Sequence, residues 1–441
     1  MHGSTGSAAD VGSLVLCPEA DAATPHRVHR RIYTDPAVFA AEMDAIFGRT
    51  WVYVGHESEI PEPGAFTSTL IGRTPVILTR TDDGEVAVLL NRCTHRAATV
   101  CQDRRGRNRF FRCPYHGWSF RPDGTLVGFT YADGYDDPDI SADDFTLGRP
   151  PRVASYQGFV FASLAPDGPS LVEHLGNAAA YIDLLVDLSP TGRLVLGAPG
   201  ESRYSYPGNW KIQSENGVDG YHANFVHLAF LEGAAPDNKA LRMFAGTSPC
   251  RSVDLGHGHA LLDQRPVMAD PFERRAAATP QGRAHRAALE DRLGPERARD
   301  VIRTSGGLGF NLLVYPNLLF IQYHARVVQP VAVDHTEVVL FPILFDGDDT
   351  AEGDELARSL NAERLRGHEG FYGPAGGGVP GDLEMFRRVQ EGLAVEQVEW
   401  LTFERGRRRE TREPDGSRVG HMTDEGPQRS FYRRWLAEMA G

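Results

Sequence analysis

The sequence predicts an α+β protein of two domains, a small turn-rich all-β domain over residues 45–165 and a larger domain of helices and strands over 166–441. Three observations predict it. From Trp51 the apolar residues recur with period two between Asp-Gly and Pro-Asp-Gly turns. After "APDGPS" the pattern changes to amphipathic helices. Strand-like runs return over 309–344, separated by Pro-Asn and Val-Asp-His turns.

In chain order, "MHGSTGSAADVGSLVLCPEADAATPH" has no basic leader and reads as an untargeted, partly disordered tail. Asp35-Pro36 opens a helix, and residues 1–44 are expected to pack on the second domain. "TPVILTR" and "EVAVLLNR" form two strands, "YHGWSFRPDGTLVGF" a hairpin, and 156–164 a further strand. Residues 171–188 read as one amphipathic helix and 214–231 as a second, while 270–303 form exposed helices. "DGDDTAEGDE" is expected as an acidic loop, followed by a helix to about Arg366 and the loop "GPAGGGVPGD".

Composition excludes several function classes. With 46 basic against 59 acidic residues, the formal net charge is −13, which repels nucleic-acid backbones and anionic lipid. No apolar run is long enough to span a membrane. Five cysteines in 441 residues are too few and odd in number for a disulfide framework. Their histidine neighbours point to metal binding in a reducing compartment, so a cytoplasmic location is expected.

The chemistry concentrates in "NRCTHRAATVCQDRRGRNRFFRCPYHGWSF". Cys93-x-His95 and Cys113-x-x-His116 are mixed pairs separated by 17 residues. Zinc ribbons mostly use C-x₂-C knuckles with one ligand type in each pair. One cysteine and one histidine from each loop suit a centre of two inequivalent irons, one held by thiolates and the other by imidazoles, as in a Rieske [2Fe-2S] cluster. Pro114 and Gly117 keep the second loop tight, and Cys101 falls outside both pairs as a structural cysteine.

A second constellation lies at 215–227. On a continuous helix Glu215, Asp219 and His222 share one face. His227 comes five residues after His222, roughly 140° further round, so both reach one metal only if the helix bends or ends. These residues can equally be polar groups on a solvent-facing helix. An upstream electron carrier, however, needs an acceptor, and two histidines with a carboxylate form the facial triad of mononuclear non-haem Fe(II). Spacing leaves the third ligand open among Asp382, Asp334, Glu384 and Glu391. Asp382 is favoured, because it stands where the Gly/Pro loop enters the next helix.

Together C-x-H-x₁₇-C-x₂-H and D-x₂-H-x₄-H resemble the α subunit of Rieske non-haem iron aromatic-ring-hydroxylating dioxygenases, and within them the benzoate/toluate group. The likeness runs from about Arg30 to the C-terminus and includes "GNWKIQSENGVDGYHANFVH", "FYGPAGGGVPGDLEMF" and "TDEGPQRSFYRRWLAEM". The resemblance implies an N-terminal all-β Rieske domain and a catalytic domain with an antiparallel sheet flanked by helices, of the helix-grip type. It implies cluster ligands Cys93, His95, Cys113 and His116, and iron ligands His222, His227 and Asp382. Asp219 matches the family's bridging aspartate, which would hydrogen-bond His222 and His116 of the partner subunit in a trimer. Two positions depart from many relatives, Ala97 where they carry Gly and Gly381 where they carry an acid.

The implied reaction is O₂-dependent cis-dihydroxylation of an aromatic ring, with a benzoate-like carboxylate as the expected substrate. No nicotinamide or flavin fingerprint is present, so electrons from NADH come through a separate reductase, with or without a ferredoxin. The resemblance implies a homotrimer, α₃ or α₃β₃ with a small β subunit. Arg326 is a candidate partner for the carboxylate. Asn216, Gly220 and Ala223 are candidate pocket residues. Monooxygenation on the same scaffold, including O-demethylation, and a pure electron-transfer role are the competing readings.

Overall fold

The computed structural model describes residues 11–16, 26–135, 141–197, 200–228, 244–304, 309–321, 323–372 and 378–441. Most of the N-terminal tail, read above as partly disordered, lies outside the described residues. The chain divides into two compact units, Phe47–Leu171 and a second made of Met1–Ile46 with Val172–Gly441.

The smaller unit is built from short antiparallel strands. Val86–Leu90, Thr74–Arg80, Ala65–Ile71 and Arg105–Arg107 form one sheet in that order. Arg152–Tyr156, Phe159–Ser163 and Val52–His56 form a second, and Leu126–Gly128, Ser119–Phe120 and Phe111–Arg112 a third. Phe66, Ile77, Leu89, Phe111, Trp118 and Phe120 fill its core together with Cys93 and Cys113. The two cysteines are thus packed as core residues beneath the loops that carry them.

The larger unit centres on a nine-stranded antiparallel sheet. Its order is Ser202–Tyr206, His335–Pro342, His324–Ala332, Leu318–Ile321, Phe310–Val314, His259–Asp263, Arg251–Gly256, Arg418–His421 and Thr411–Arg412. The helices Trp210–Gly217, Ala351–Tyr372 and Gly426–Ala440 pack on it. No helix among the described residues is long and apolar enough to cross a membrane.

Three expected elements differ. Residues 171–188 form two helices, Leu171–Leu175 and Ala179–Asp187, joined by a 3-10 turn in which Gly176 takes φ +46°. The acidic stretch is not loop throughout. Thr350 Oγ1 accepts from the Gly353 N–H, so the next helix starts at Ala351 and puts Glu352 and Asp354 at its positive end. Residues 214–231 are not one helix either, because the helix from Trp210 stops at Gly217 and, among the described residues up to 228, the chain is helical again only over Ala223–Val226.

A buried charge cluster holds the Trp210–Gly217 helix. Lys211 Nζ meets Glu42 Oε1 at 2.5 Å, and both side chains are 0% exposed. The indoles of Trp210 and Trp435 donate to the same carboxylate at 2.9 and 2.7 Å. One turn on, Glu215 accepts from the hydroxyls of Tyr33 and Tyr432. Burial pushes the Glu215 pKa up to about 7 despite those two donors.

Two measurements check this clamp. Glu42→Gln leaves the Lys211 ammonium buried without its counter-charge, which costs about 3–5 kcal/mol of unfolding free energy. The double variant Glu42→Gln/Lys211→Met, which keeps an acceptor for the indoles and removes the unpaired ammonium, recovers most of that loss in the same denaturant titration. Glu215 binds its proton more tightly folded than unfolded, so its stabilising contribution is complete below about pH 4.5 and lost as pH rises through 7. Wild-type stability should therefore fall across pH 5–8 by about 2–3 kcal/mol more than that of Glu215→Gln.

Candidate metal centres

The two Cys/His loops in the smaller unit are conformational twins. The Cys93 carbonyl accepts from the Ala97 N–H at 3.0 Å, while the Cys93 N–H donates to the Ala98 carbonyl at 2.8 Å. The Cys113 carbonyl accepts from the Gly117 N–H at 3.0 Å, while the Cys113 N–H donates to the Trp118 carbonyl at 2.7 Å. The fifth residue of each turn is left-handed, Ala97 at φ +64° and Gly117 at +77°. Asn91 pins the first loop by donating to the Cys101 carbonyl and accepting from the Val100 and Cys101 N–H groups. Cys101 itself is buried and hydrogen-bonded to Ser68 and the Asp103 carbonyl.

These turns put thiols inside and imidazoles outside. Cys93 and Cys113 are 1% and 2% exposed, whereas His95 and His116 are half-buried. The two thiols are neighbours, and burial followed by the nearness of Cys113 raises the Cys93 pKa. The two imidazole centroids are 4.6 Å apart, and Trp118 stacks on His95 at 4.7 Å and 8°. His95 Nδ1 is buried with no hydrogen-bond partner among the described residues. Burial, reinforced by His116 and Arg96, lowers the pKa of that ring. A pair of inner thiols and a pair of outer imidazoles fits a [2Fe-2S] group with two unlike irons.

The second site lies in the larger unit. His222 caps the start of the Ala223–Val226 turn and His227 ends it, so one turn of helix sets their separation. Gly220 is where the chain approaches Met422. A Cβ there would lie 2.5 Å from the Met422 carbonyl oxygen, so this close approach requires glycine. The expectation that Glu215, Asp219 and His222 share one helical face is corrected. The helix ends at Gly217, Glu215 turns to Tyr33 and Tyr432, and only Asp219 stays with His222.

Asp382 joins the two histidines from the first turn of the helix Val379–Leu393. Its Oδ1 is 3.1 Å from His227 Nε2 and 3.7 Å from His222 Nε2. One ligand atom from each of the three residues lies within 4.8 Å of the others, the one such group of three among the described residues. Gly381 permits this approach, since a Cβ there would already sit 3.0 Å from Val226 Cγ1. Burial disfavours the Asp382 carboxylate, but the His227 hydrogen bond and the charges of His222, His227 and Arg326 hold its pKa below the usual range. Two imidazole nitrogens and a carboxylate oxygen converging from one side fit a mononuclear iron with open positions. Of the rival carboxylates, Glu384 and Glu391 pair with Arg387, and Asp334 lines a separate groove.

The surrounding residues divide clearly. Asn216 Nδ2 stands 3.2 Å from His222 Nε2 and 3.4 Å from Asp382 Oδ1, and Ala223 is buried at the start of the turn. Asp219 Oδ2 is 3.4 Å from His222 Nδ1, its Oδ1 accepts from the Tyr221 N–H, and its side chain is 32% exposed. Arg326 is 2% exposed on the strand His324–Ala332, donating to His324 Nε2 at 2.9 Å and reaching the Tyr204 hydroxyl and Gln213 Oε1. Sequence reasoning did not find Tyr204 and Gln213 as its companions, because sheet pairing brings the first and helix packing on the sheet the second.

The twin turns generate a prediction about the loops. Gly117→Ala would place a Cβ 2.7 Å from Thr130 Oγ1 in a left-handed residue, so it should lower the melting temperature and bleach the cluster's visible absorption. Ala97→Gly removes a left-handed alanine and should leave the spectrum intact, with stability unchanged or raised by up to about 1 kcal/mol.

Comparison with known proteins agrees with this geometry. Residues 50–142 match the Rieske [2Fe-2S] domain, and residues 196–441 match the ring hydroxylating alpha subunit catalytic domain. The chain is 36% identical over 401 residues to the 2-halobenzoate 1,2-dioxygenase large subunit of Burkholderia cepacia, covering 86% of this chain and 80% of that one. It is 36% identical over 387 residues to the toluate 1,2-dioxygenase subunit alpha of Pseudomonas putida, covering 84% and 79%. Its fold is similar to that of naphthalene 1,2-dioxygenase from a Rhodococcus species, with a TM-score of 0.77, 27% identity and 94% of both chains covered. With both domains matched and the relatives aligned over most of their length, the chain belongs to the family of Rieske non-haem iron aromatic-ring-hydroxylating dioxygenase large subunits.

Proposed function

We propose that this oxygenase adds both atoms of O₂ to one face of a benzoate-like aromatic carboxylate, giving a cis-dihydrodiol and consuming two electrons and two protons. The observation that carries the reading is the convergence of His222, His227 and Asp382 next to a buried guanidinium, that of Arg326. When loaded, the cluster supplies single electrons and the mononuclear iron activates O₂.

In this reading Cys93, His95, Cys113 and His116 hold the cluster, and His222, His227 and Asp382 hold the iron. The chain's other groups orient and exclude. Asn216 places an amide beside two of the iron-holding atoms, where it steadies the Asp382 carboxylate. Tyr204, Gln213 and His324 hold the Arg326 fork in one orientation, leaving a fixed positive charge to orient the substrate carboxylate. Ala223 keeps the wall beside the ring small. Asp219, next to His222 and partly exposed, is the positioning residue that would reach His116 of the partner subunit. Family members work with separate electron-transfer proteins and as oligomers. For this chain we assign a cytoplasmic trimer, α₃ or α₃β₃, fed from NADH through a reductase.

A single turnover tests the reading. Chemically reduced, iron-loaded protein freed of excess reductant is given benzoate and substituted benzoates under ¹⁸O₂, with iron counted beforehand. The expected result is three irons per chain and one ring product carrying two labelled oxygens. Arg326→Gln should raise the benzoate concentration for half-maximal product tenfold or more, a loss of about 1.4 kcal/mol. One labelled oxygen would replace the proposal with monooxygenation, and no product with two irons per chain would leave an electron carrier.

A further inference from the structure

A cavity in the larger unit is lined by none of the metal-site residues. Arg364, on the helix Ala351–Tyr372, is 7% exposed. Its Nε donates to the Ile343 carbonyl at 2.6 Å, and its guanidinium lies 4.4 Å from the Phe345 ring centroid and 5.3 Å from that of Tyr323. Among the described residues its two Nη nitrogens have no hydrogen-bond partner. Burial lowers its pKa to about 10, although Tyr323 and Glu363 pull the other way. A guanidinium this enclosed normally faces an acceptor.

The cavity beside it has a volume of about 170 Å³. Gln281 also lines it, and its buried Nε2 has no partner either. Glu363 is the single carboxylate of the lining, and it is engaged by Arg275. Leu188, Leu360, Phe345 and Tyr323 supply apolar and aromatic wall, while Thr279 and His285 are further polar residues of the lining, engaged with the Gly282 N–H and the Leu188 carbonyl. Unpaired donors set in apolar walls select an anion with an apolar body. Size narrows the choice, because a dry cavity of about 150 Å³ holds benzene and this one therefore admits a single ring.

We propose that this cavity is a second, non-catalytic binding site for a small organic carboxylate carrying at most one ring. The carboxylate accepts from the Arg364 Nη nitrogens and from Gln281 Nε2, and the body packs against Phe345, Leu188 and Leu360. The assignment rests on the donors and walls of this cavity alone and stands or falls separately from the catalytic substrate.

The test uses the iron-loaded protein with benzoate, its neutral isostere benzamide, and 4-bromobenzoate. In crystals soaked with 4-bromobenzoate, the expected result is a bromine anomalous peak against Phe345, absent in Gln281→Leu. In solution, calorimetry should show a benzoate-binding event weakened tenfold or more by Gln281→Leu and by Arg364→Met, and retained in Arg326→Gln. Benzamide should bind there at least tenfold more weakly than benzoate. Because Gln281 is only half-buried, its variant keeps the test valid if Arg364→Met fails to fold. No bromine peak in the cavity, benzoate binding unaffected by Gln281→Leu, or equal affinity for benzamide would overturn the proposal.

Discussion

The buried ion pair of Glu42 and Lys211 is the constraint on which the iron-site geometry depends. A carboxylate and an ammonium with no solvent exposure persist only if their partners are in place, and here the partners come from remote parts of the chain. Glu42 ends one N-terminal helix, Trp210 and Lys211 begin the site helix, and Trp435 lies in the C-terminal helix. Tyr33, Glu215 and Tyr432 repeat the same three-way meeting one turn further on. A helix clamped at two successive turns has little freedom at its end. Asn216 and the break after Gly217, which lead to His222 and His227, inherit that fixed position.

Both metal centres then arise from interrupted regular structure. In the smaller unit, two identical turns lift histidines to the surface while their cysteines remain in the core. In the larger unit, a single helical turn separates His222 from His227, and Asp382 arrives from a helix whose Gly381 allows close contact with Val226. Local chain geometry sets the spacing within each loop, and packing sets the distance between loops.

The protein's charge is distributed unevenly. The chain carries a net −13, which disfavours extended polyanions at its surface. Its interior nevertheless encloses guanidinium groups, among them Arg326 in the central sheet and Arg364 on the helix that packs against that sheet. Buried cations of this kind act over short range in a poorly screened environment, so they favour small anions that can enter.

The sequence by itself pointed to the chemistry of the candidate centres, because Cys/His spacing within a turn is a local property. Cys93-x-His95, Cys113-x-x-His116 and His222-x₄-His227 were legible for that reason, as were the hairpin turns and the helix opened by Asp35-Pro36. Helical periodicity over 214–231 misled, because the close approach of Gly220 to Met422 and the capture of Glu215 by two tyrosines are tertiary effects that a period cannot register. Spacing also left Asp382 among four carboxylates. Only the folded chain brought its Oδ1 to the histidines and gave Glu384 and Glu391 to Arg387. The same holds for Arg326 and Arg364, whose surroundings are assembled from strands and helices far apart in the chain. Short-range stereochemistry is written in consecutive residues, whereas the partner of a buried charge is decided by which segments pack together.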